Sequence, residues 1–186
     1  ISSAASDVYK RQDMVRRAAT PSESGGEAVL DPRVVFEPLR LACETKSLAL
    51  QTTSLDCIAK LVSYAFFAED PDTAAARGGG TGGTLADVVV ETVCNCYEET
   101  VDERVAVQIV KALLACVLST SIRVHQSSLL RAVRTVYNIF LMSRTPGNQA
   151  IAQGSLSQMV NYVFSRVPRK GGAEAKEETS PEAAPV

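Results

Sequence analysis

From Arg104 to Ala173 the chain carries no aspartate and no glutamate. Tryptophan is missing from all 186 residues, histidine occurs once, and aromatic residues make up 5%. Each scarcity excludes something. With so few rings the core has to be aliphatic, which suits packed helices better than a sandwich or barrel. A nucleic-acid surface would call for stacking platforms and Lys/Arg runs, and neither accompanies the basic half. The one histidine, His125, has no neighbouring acid and no Ser or Cys nucleophile signature, so it reads as structural rather than catalytic. No apolar run approaches the ~18–20 residues of a membrane span, and the N-terminus lacks the basic-then-apolar pattern of a secretory signal.

What is present is a divided charge. Residues 27–103 carry −9 and residues 104–173 carry +9, inside a net charge of −2. A domain with one acidic and one basic half is suited to pairing with itself or with an unlike partner. Five cysteines, Cys43, Cys57, Cys94, Cys96 and Cys116, all lie in apolar helical patterns. They read as small buried residues of a reducing compartment rather than a disulfide frame.

Helical periodicity predicts six helices. Asp31-Pro32 reads as an N-cap followed by proline at the first helical position. Pro38 either kinks that first helix or begins a new one, which ends near Lys46. The second runs from Ser47 to Phe67, with Ser54, Cys57, Ile58, Leu61, Val62 and Ala65 on one face. The third spans Thr84–Tyr97, facing inward through Leu85, Val88, Val89, Thr92, Val93 and Cys96. The fourth, Glu103–Leu118, is apolar nearly all round and therefore central or awaiting a partner. The fifth, Gln126–Ser143, shows a core stripe of Leu129, Leu130, Val133, Val136, Tyr137, Phe140 and Leu141, opposite a polar row of Arg131, Arg134 and Asn138. The sixth, Pro146–Arg166, repeats Leu156, Met159, Val160, Val163 and Phe164. Gly154 within it points to a kink or a close helix contact, and Thr145 reads as its cap.

Residues 1–27 read as a disordered leader and 169–186 as a disordered tail, leaving one helical domain at 28–168. The stretch 69–83 contains Gly78-Gly79-Gly80-Thr81-Gly82-Gly83. It lacks the Lys-Ser/Thr and the preceding strand of a phosphate loop, so it reads as a flexible surface insertion. Cys94-Asn95-Cys96 does not have zinc-knuckle spacing. Glu98, Glu99, Asp102 and Glu103 sit between two helices, where Asp102 is placed to cap the next one. No cofactor or metal is expected. Helices three and four make one hairpin of about 40 residues and five and six another, the HEAT/armadillo period. The fold class is all-α, an armadillo/HEAT-like stack of about six helices.

Several blocks, in order, then carry a resemblance. They are Phe36-Glu37-Pro38-Leu39-Arg40-Leu41-Ala42-Cys43-Glu44-Thr45-Lys46-Ser47, Thr53-Ser54-Leu55-Asp56-Cys57-Ile58-Ala59-Lys60-Leu61, Val93-Cys94-Asn95-Cys96-Tyr97, Gln108-Ile109-Val110-Lys111-Ala112-Leu113-Leu114, Arg134-Thr135-Val136-Tyr137-Asn138-Ile139-Phe140-Leu141 and Gln158-Met159-Val160-Asn161-Tyr162-Val163-Phe164. Residues 34–167 resemble the N-terminal dimerisation and cyclophilin-binding domain of large Arf guanine-nucleotide exchange factors of the BIG and yeast Sec-seven type. The Gly-rich insertion points to a fungal member. The resemblance implies an armadillo-like fold, a homodimer, and contact with the downstream regulatory domain of the same protein. It also implies recruitment to trans-Golgi membranes from the cytoplasm through an Arf-like small GTPase, and cyclophilin binding, for which no residue can be assigned. The catalytic exchange domain is not in this sequence, so no enzymatic activity is expected of it. Partner-binding candidates are Gln108, Lys111, Arg131, Arg134, Tyr137 and Asn138, which mix polar, charged and aromatic character on adjacent helices. A different reading is a membrane adaptor using the basic half directly on anionic lipid.

Overall fold

The computed structural model describes residues 31–67, 83–98, 100–124 and 126–166. The leader at 1–27, the tail at 169–186, nearly all of the 69–83 stretch, Glu99 and His125 lie outside the described residues. Within them the protein is six helices and no strand: α1 (Pro32–Glu44), α2 (Leu48–Ser63), α3 (Leu85–Asn95), α4 (Glu103–Leu118), α5 (Gln126–Met142) and α6 (Pro146–Arg166).

Local chemistry sets the helix starts. Asp31 Oδ1 accepts from Arg33 N at 2.9 Å, and Asp102 Oδ1 accepts from Arg104 N at 2.9 Å. At α3, Thr84 Oγ1 accepts from Asp87 N at 3.3 Å and donates to Asp87 Oδ2 at 2.7 Å, so cap and third helical residue hold each other,. Pro38 does not divide α1, which runs unbroken through it. Its ring lies on the exposed side of the helix, clear of the core,. The second helix stops at Ser63, short of the expected Phe67. Phe66 N donates to Leu61 O at 2.9 Å and Ala65 N to Val62 O at 3.0 Å, with Ala65 at φ 57°. That is a Schellman stop with alanine where glycine is usual. It turns the chain so that buried Phe67 meets Phe36 edge-on at 5.8 Å.

Consecutive helices pair as α1–α2, α3–α4 and α5–α6. Across the pairs, α1 packs on α3 and α3 on α5, while α2 packs on α4 and α4 on α6. The result is three helical hairpins stacked in two layers, odd helices in one and even in the other, as an armadillo/HEAT-like stack requires. The helix α4 touches α2, α3, α5 and α6. Its nearly all-round apolar sequence is thereby explained: eight of its sixteen residues are buried.

The third hairpin departs from expectation. On α5 the buried residues are Ala132, Thr135, Val136 and Ile139. Of the expected stripe, Leu129, Val133 and Phe140 pack partly against the core, whereas Leu130, Tyr137 and Leu141 are exposed. On α6, Ala152, Ser155 and Met159 are buried, Leu156 and Val163 pack at the margin, and Val160 and Phe164 are exposed. Small residues such as Ala132, Ala152 and Ser155 share the inward faces there with Val136, Ile139 and Met159, and several large apolar ones face outward. Gly154 is exposed, and a Cβ added to it would meet nothing within 4 Å, so no close helix contact explains it. Thr145 gives its hydroxyl to Glu103.

Candidate interaction surface

The third hairpin is the end of the described stack, and its far flank has no hairpin against it. On α5, Leu130, Arg134, Tyr137 and Leu141 are spaced i, i+4, i+7 and i+11, one row along the helix. This row lies about 100° round the helix from Arg131, which faces α3. Leu130 is 70% exposed and Tyr137 50%. On the neighbouring helix Val160 and Phe164 form an i, i+4 pair, with Phe164 71% exposed. Each row leaves large apolar side chains bare, as soluble proteins seldom do without a use for them. Among the described residues Arg134 has no hydrogen-bond or ion-pair partner, so a cation sits within this apolar row.

The hairpin is held in place by polar contacts on its inner side. The Arg131 guanidinium donates to Glu91 Oε1 at 3.1 Å and to Asn95 Oδ1 at 2.7 Å. Ser128 Oγ donates to Asp87 Oδ1 at 2.6 Å. Opposite these, Glu103 at the first turn of α4 gathers the α5–α6 turn. Its carboxylate accepts from Ser143 Oγ, from Arg144 N at 2.7 Å, from Thr145 Oγ1 at 3.1 Å and from Asn148 Nδ2. Asn148 also donates to Glu103 O at 3.0 Å. These donors, the Ser143 hydroxyl foremost, hold the Glu103 carboxyl below the usual carboxylate range,.

A second concavity lies between the C-terminal ends of α2 and α4, with a volume of about 430 Å³. Val62, Ala65, Leu114 and Leu118 supply its apolar wall, and Lys111 and Ser119 its polar edge. Tyr64, 83% exposed, stands beside it in the chain.

The six candidate residues fall in different places. Arg134, Tyr137 and Asn138 share α5, the first two in the uncovered row. Arg131 belongs to the bridge to α3. Lys111 borders the α2–α4 groove in the other layer. Gln108 is half-buried on α4, and its Oε1 is enclosed with no hydrogen-bond partner. Sequence reasoning did not single out Leu130, Val160 and Phe164 as surface, or Glu103 as an organiser of the third hairpin. The described residues contain no group of three His, Cys, Asp or Glu side chains able to hold a metal, and no helix among them is long and apolar enough to cross a membrane.

Residues 9–170 match the family described as the Mon2/Sec7/BIG1-like dimerisation and cyclophilin-binding domain. The human brefeldin A-inhibited guanine nucleotide-exchange protein 1 is 40% identical over 144 residues, covering 76% of this chain and 8% of that protein. The Saccharomyces cerevisiae ADP-ribosylation factor guanine nucleotide-exchange factor SEC7 is 36% identical over 168 residues, 81% of this chain and 8% of that protein. The Schizosaccharomyces pombe factor sec71 is 46% identical over 137 residues, 73% of this chain and 7% of that protein. The chain thus spans a small fraction of the length of the curated relatives it matches. On the family match and these identities, the chain belongs to the Mon2/Sec7/BIG1-like dimerisation and cyclophilin-binding domain family.

Proposed function

We propose that this domain is a non-catalytic self-association and docking module of a large guanine-nucleotide exchange factor for ADP-ribosylation factors, working at trans-Golgi membranes in vesicle transport. The observation that carries the reading is the uncovered apolar flank of the third hairpin, with Arg134 set within it. A helical stack that ends on exposed Leu130, Tyr137, Leu141, Val160 and Phe164 gains by covering them with more protein. The relatives' names supply the exchange-factor setting, and their far greater length supplies further chain to dock. In this reading Arg134, Tyr137 and Asn138 contact a second copy or the downstream regulatory domain. Lys111, at the α2–α4 groove, serves a separate partner, for which an Arf-like small GTPase is the proposed occupant. Arg131 acts indirectly, by holding α5 against α3, and Gln108, whose amide oxygen is enclosed, makes no direct contact in this reading. Cyclophilin is carried over from the family description alone.

The test is the solution mass of the full 186-residue chain over a concentration series, at low and high salt. A dimer that weakens in Arg134→Glu and Tyr137→Ala, with helicity retained, supports self-association through the third hairpin. A monomer at every concentration overturns self-association. Capture by GTP-loaded and not GDP-loaded Arf-like protein, lost in Lys111→Glu, supports the groove assignment, and capture that Lys111→Glu leaves unchanged removes it.

A further inference from the structure

Two cysteines meet where α1 and α3 end together. Cys43 lies in the last turn of α1, and Cys96 follows the last residue of α3. Both are almost fully buried, and the two thiols are neighbours. Cys96 Sγ also lies 3.4 Å from the carbonyl oxygen of Thr92. Both thiols line one cavity of about 350 Å³ between the two helices, walled by Arg40, Val88 and Thr92. Just beyond the pair, Lys46 Nζ and Glu98 Oε1 join the two outgoing strands of chain at 2.8 Å. The two backbones are therefore tied together on the exit side of the thiols.

The five cysteines are not alike. Burial pushes the Cys116 thiol up to about 12, and burial also raises Cys94,. Cys43 alone is shifted downward, by its neighbour Cys96, whereas Cys96, whose S–H donates to Thr92 O, is raised by Cys43 and by burial. One thiol of the pair is thus the better nucleophile and the other keeps its proton, the division of labour found where a thiolate attacks and a second thiol resolves.

We propose that Cys43 and Cys96 are a peroxide-sensitive thiol pair that closes to a reversible disulfide between α1 and α3. The Cys43 thiolate attacks one oxygen of hydrogen peroxide. An S–O bond forms as the O–O bond breaks, and the departing hydroxide takes a proton and leaves as water. The Cys96 sulfur then attacks the Cys43 sulfur of the sulfenic acid. The S–S bond forms, the S–O bond breaks, and the Cys96 proton leaves with the hydroxyl as a second water. Two thiols are oxidised by two electrons and the peroxide is reduced by two. A thiol reductant reverses the change. The bond would staple the first hairpin to the second across a loop of about fifty residues.

The test uses the full chain, reduced and then exposed to hydrogen peroxide without denaturant, alkylated, digested and mapped by mass spectrometry. The expected product is a Cys43–Cys96 linked peptide, with a melting temperature about 5–10 °C above that of the reduced protein. In Cys96→Ser, Cys43 should stop at a sulfenic acid that dimedone traps, and in Cys43→Ser neither product should form. Thermal melts of the reduced serine variants show whether they fold, and the wild-type peptide map decides without them. Recovery of Cys43 and Cys96 as free thiols while half-buried Cys57 is oxidised would overturn the proposal. So would a disulfide that appears only once the protein is unfolded.

Discussion

The second and third hairpins are built from similar material and end up in different surroundings. In α4, eight of sixteen residues are buried, and in α6 only three of twenty-one are. The second hairpin has a neighbour on each flank, whereas the third has one neighbour and an open side. The difference teaches that apolar content alone does not make a core. In a stack of hairpins, position decides whether a leucine is sealed or offered.

Truncating one leucine in the sealed region should have the largest effect. Leu113 is fully buried on α4, and Leu113→Ala should cost about 3–4 kcal/mol in urea unfolding of the full chain. Phe164→Ala on the open flank removes more side chain, yet should change stability by less than about 0.5 kcal/mol in a monomeric sample. Equal costs would mean that the open flank is covered in solution and that the comparison fails.

Next in size is the tie between the two hairpins. Glu103→Ala leaves Ser143, Arg144 N, Thr145 and Asn148 without their shared acceptor and should cost about 1–2 kcal/mol. The sign with pH follows from the lowered folded value. The contribution of Glu103 is complete above the unfolded carboxyl value of 4.5 and is lost as pH falls through the folded one,. Wild type and Glu103→Gln should therefore converge in melting temperature as the solution is acidified, and a gap that widens on acidification would contradict the assignment.

A gain of similar kind but smaller size is expected beside the sealed region. Ala65 stops α2 at φ 57°, where an alanine side chain is strained. Ala65→Gly should stabilise the chain by about 0.5–1 kcal/mol, read as a raised urea midpoint with unchanged slope. The smallest effect is at the exposed bridge. Arg131→Ala should cost no more than about 0.5–1 kcal/mol and should fade with added salt.

Much of this was legible in the sequence, for physical reasons. Helix ends depend on neighbours within four residues, so Asp31, Thr84 and Asp102 announce α1, α3 and α4, and α4 begins and ends where its sequence predicts. The hairpin stack follows from helix and loop lengths. What was not legible depends on residues far apart in the chain. The α5 stripe of Leu130, Tyr137 and Leu141 has the same period whether covered or bare. The residues that truly face inward, Ala132 and Thr135, contribute little to an apolar pattern. Glu103 reads as a helix-start acid, because its four partners lie some 40 residues later. The sequence places all six candidate residues on helices but does not reveal their surroundings. Arg134 and Tyr137 stand where a partner can reach them, while the α3 partners of Arg131 could be found only in three dimensions.

The grip of Glu103 on residues 143–148 also bears on how the chain opens. In a quasi-linear array each hairpin unfolds at a cost set by its contacts with its neighbours, and a terminal unit has half as many. The α5–α6 hairpin, like α1–α2 at the other end of the described stack, should therefore exchange its amide hydrogens before α3–α4. Glu103 fastens its turn, so within this hairpin the amides around Asn148 should exchange last.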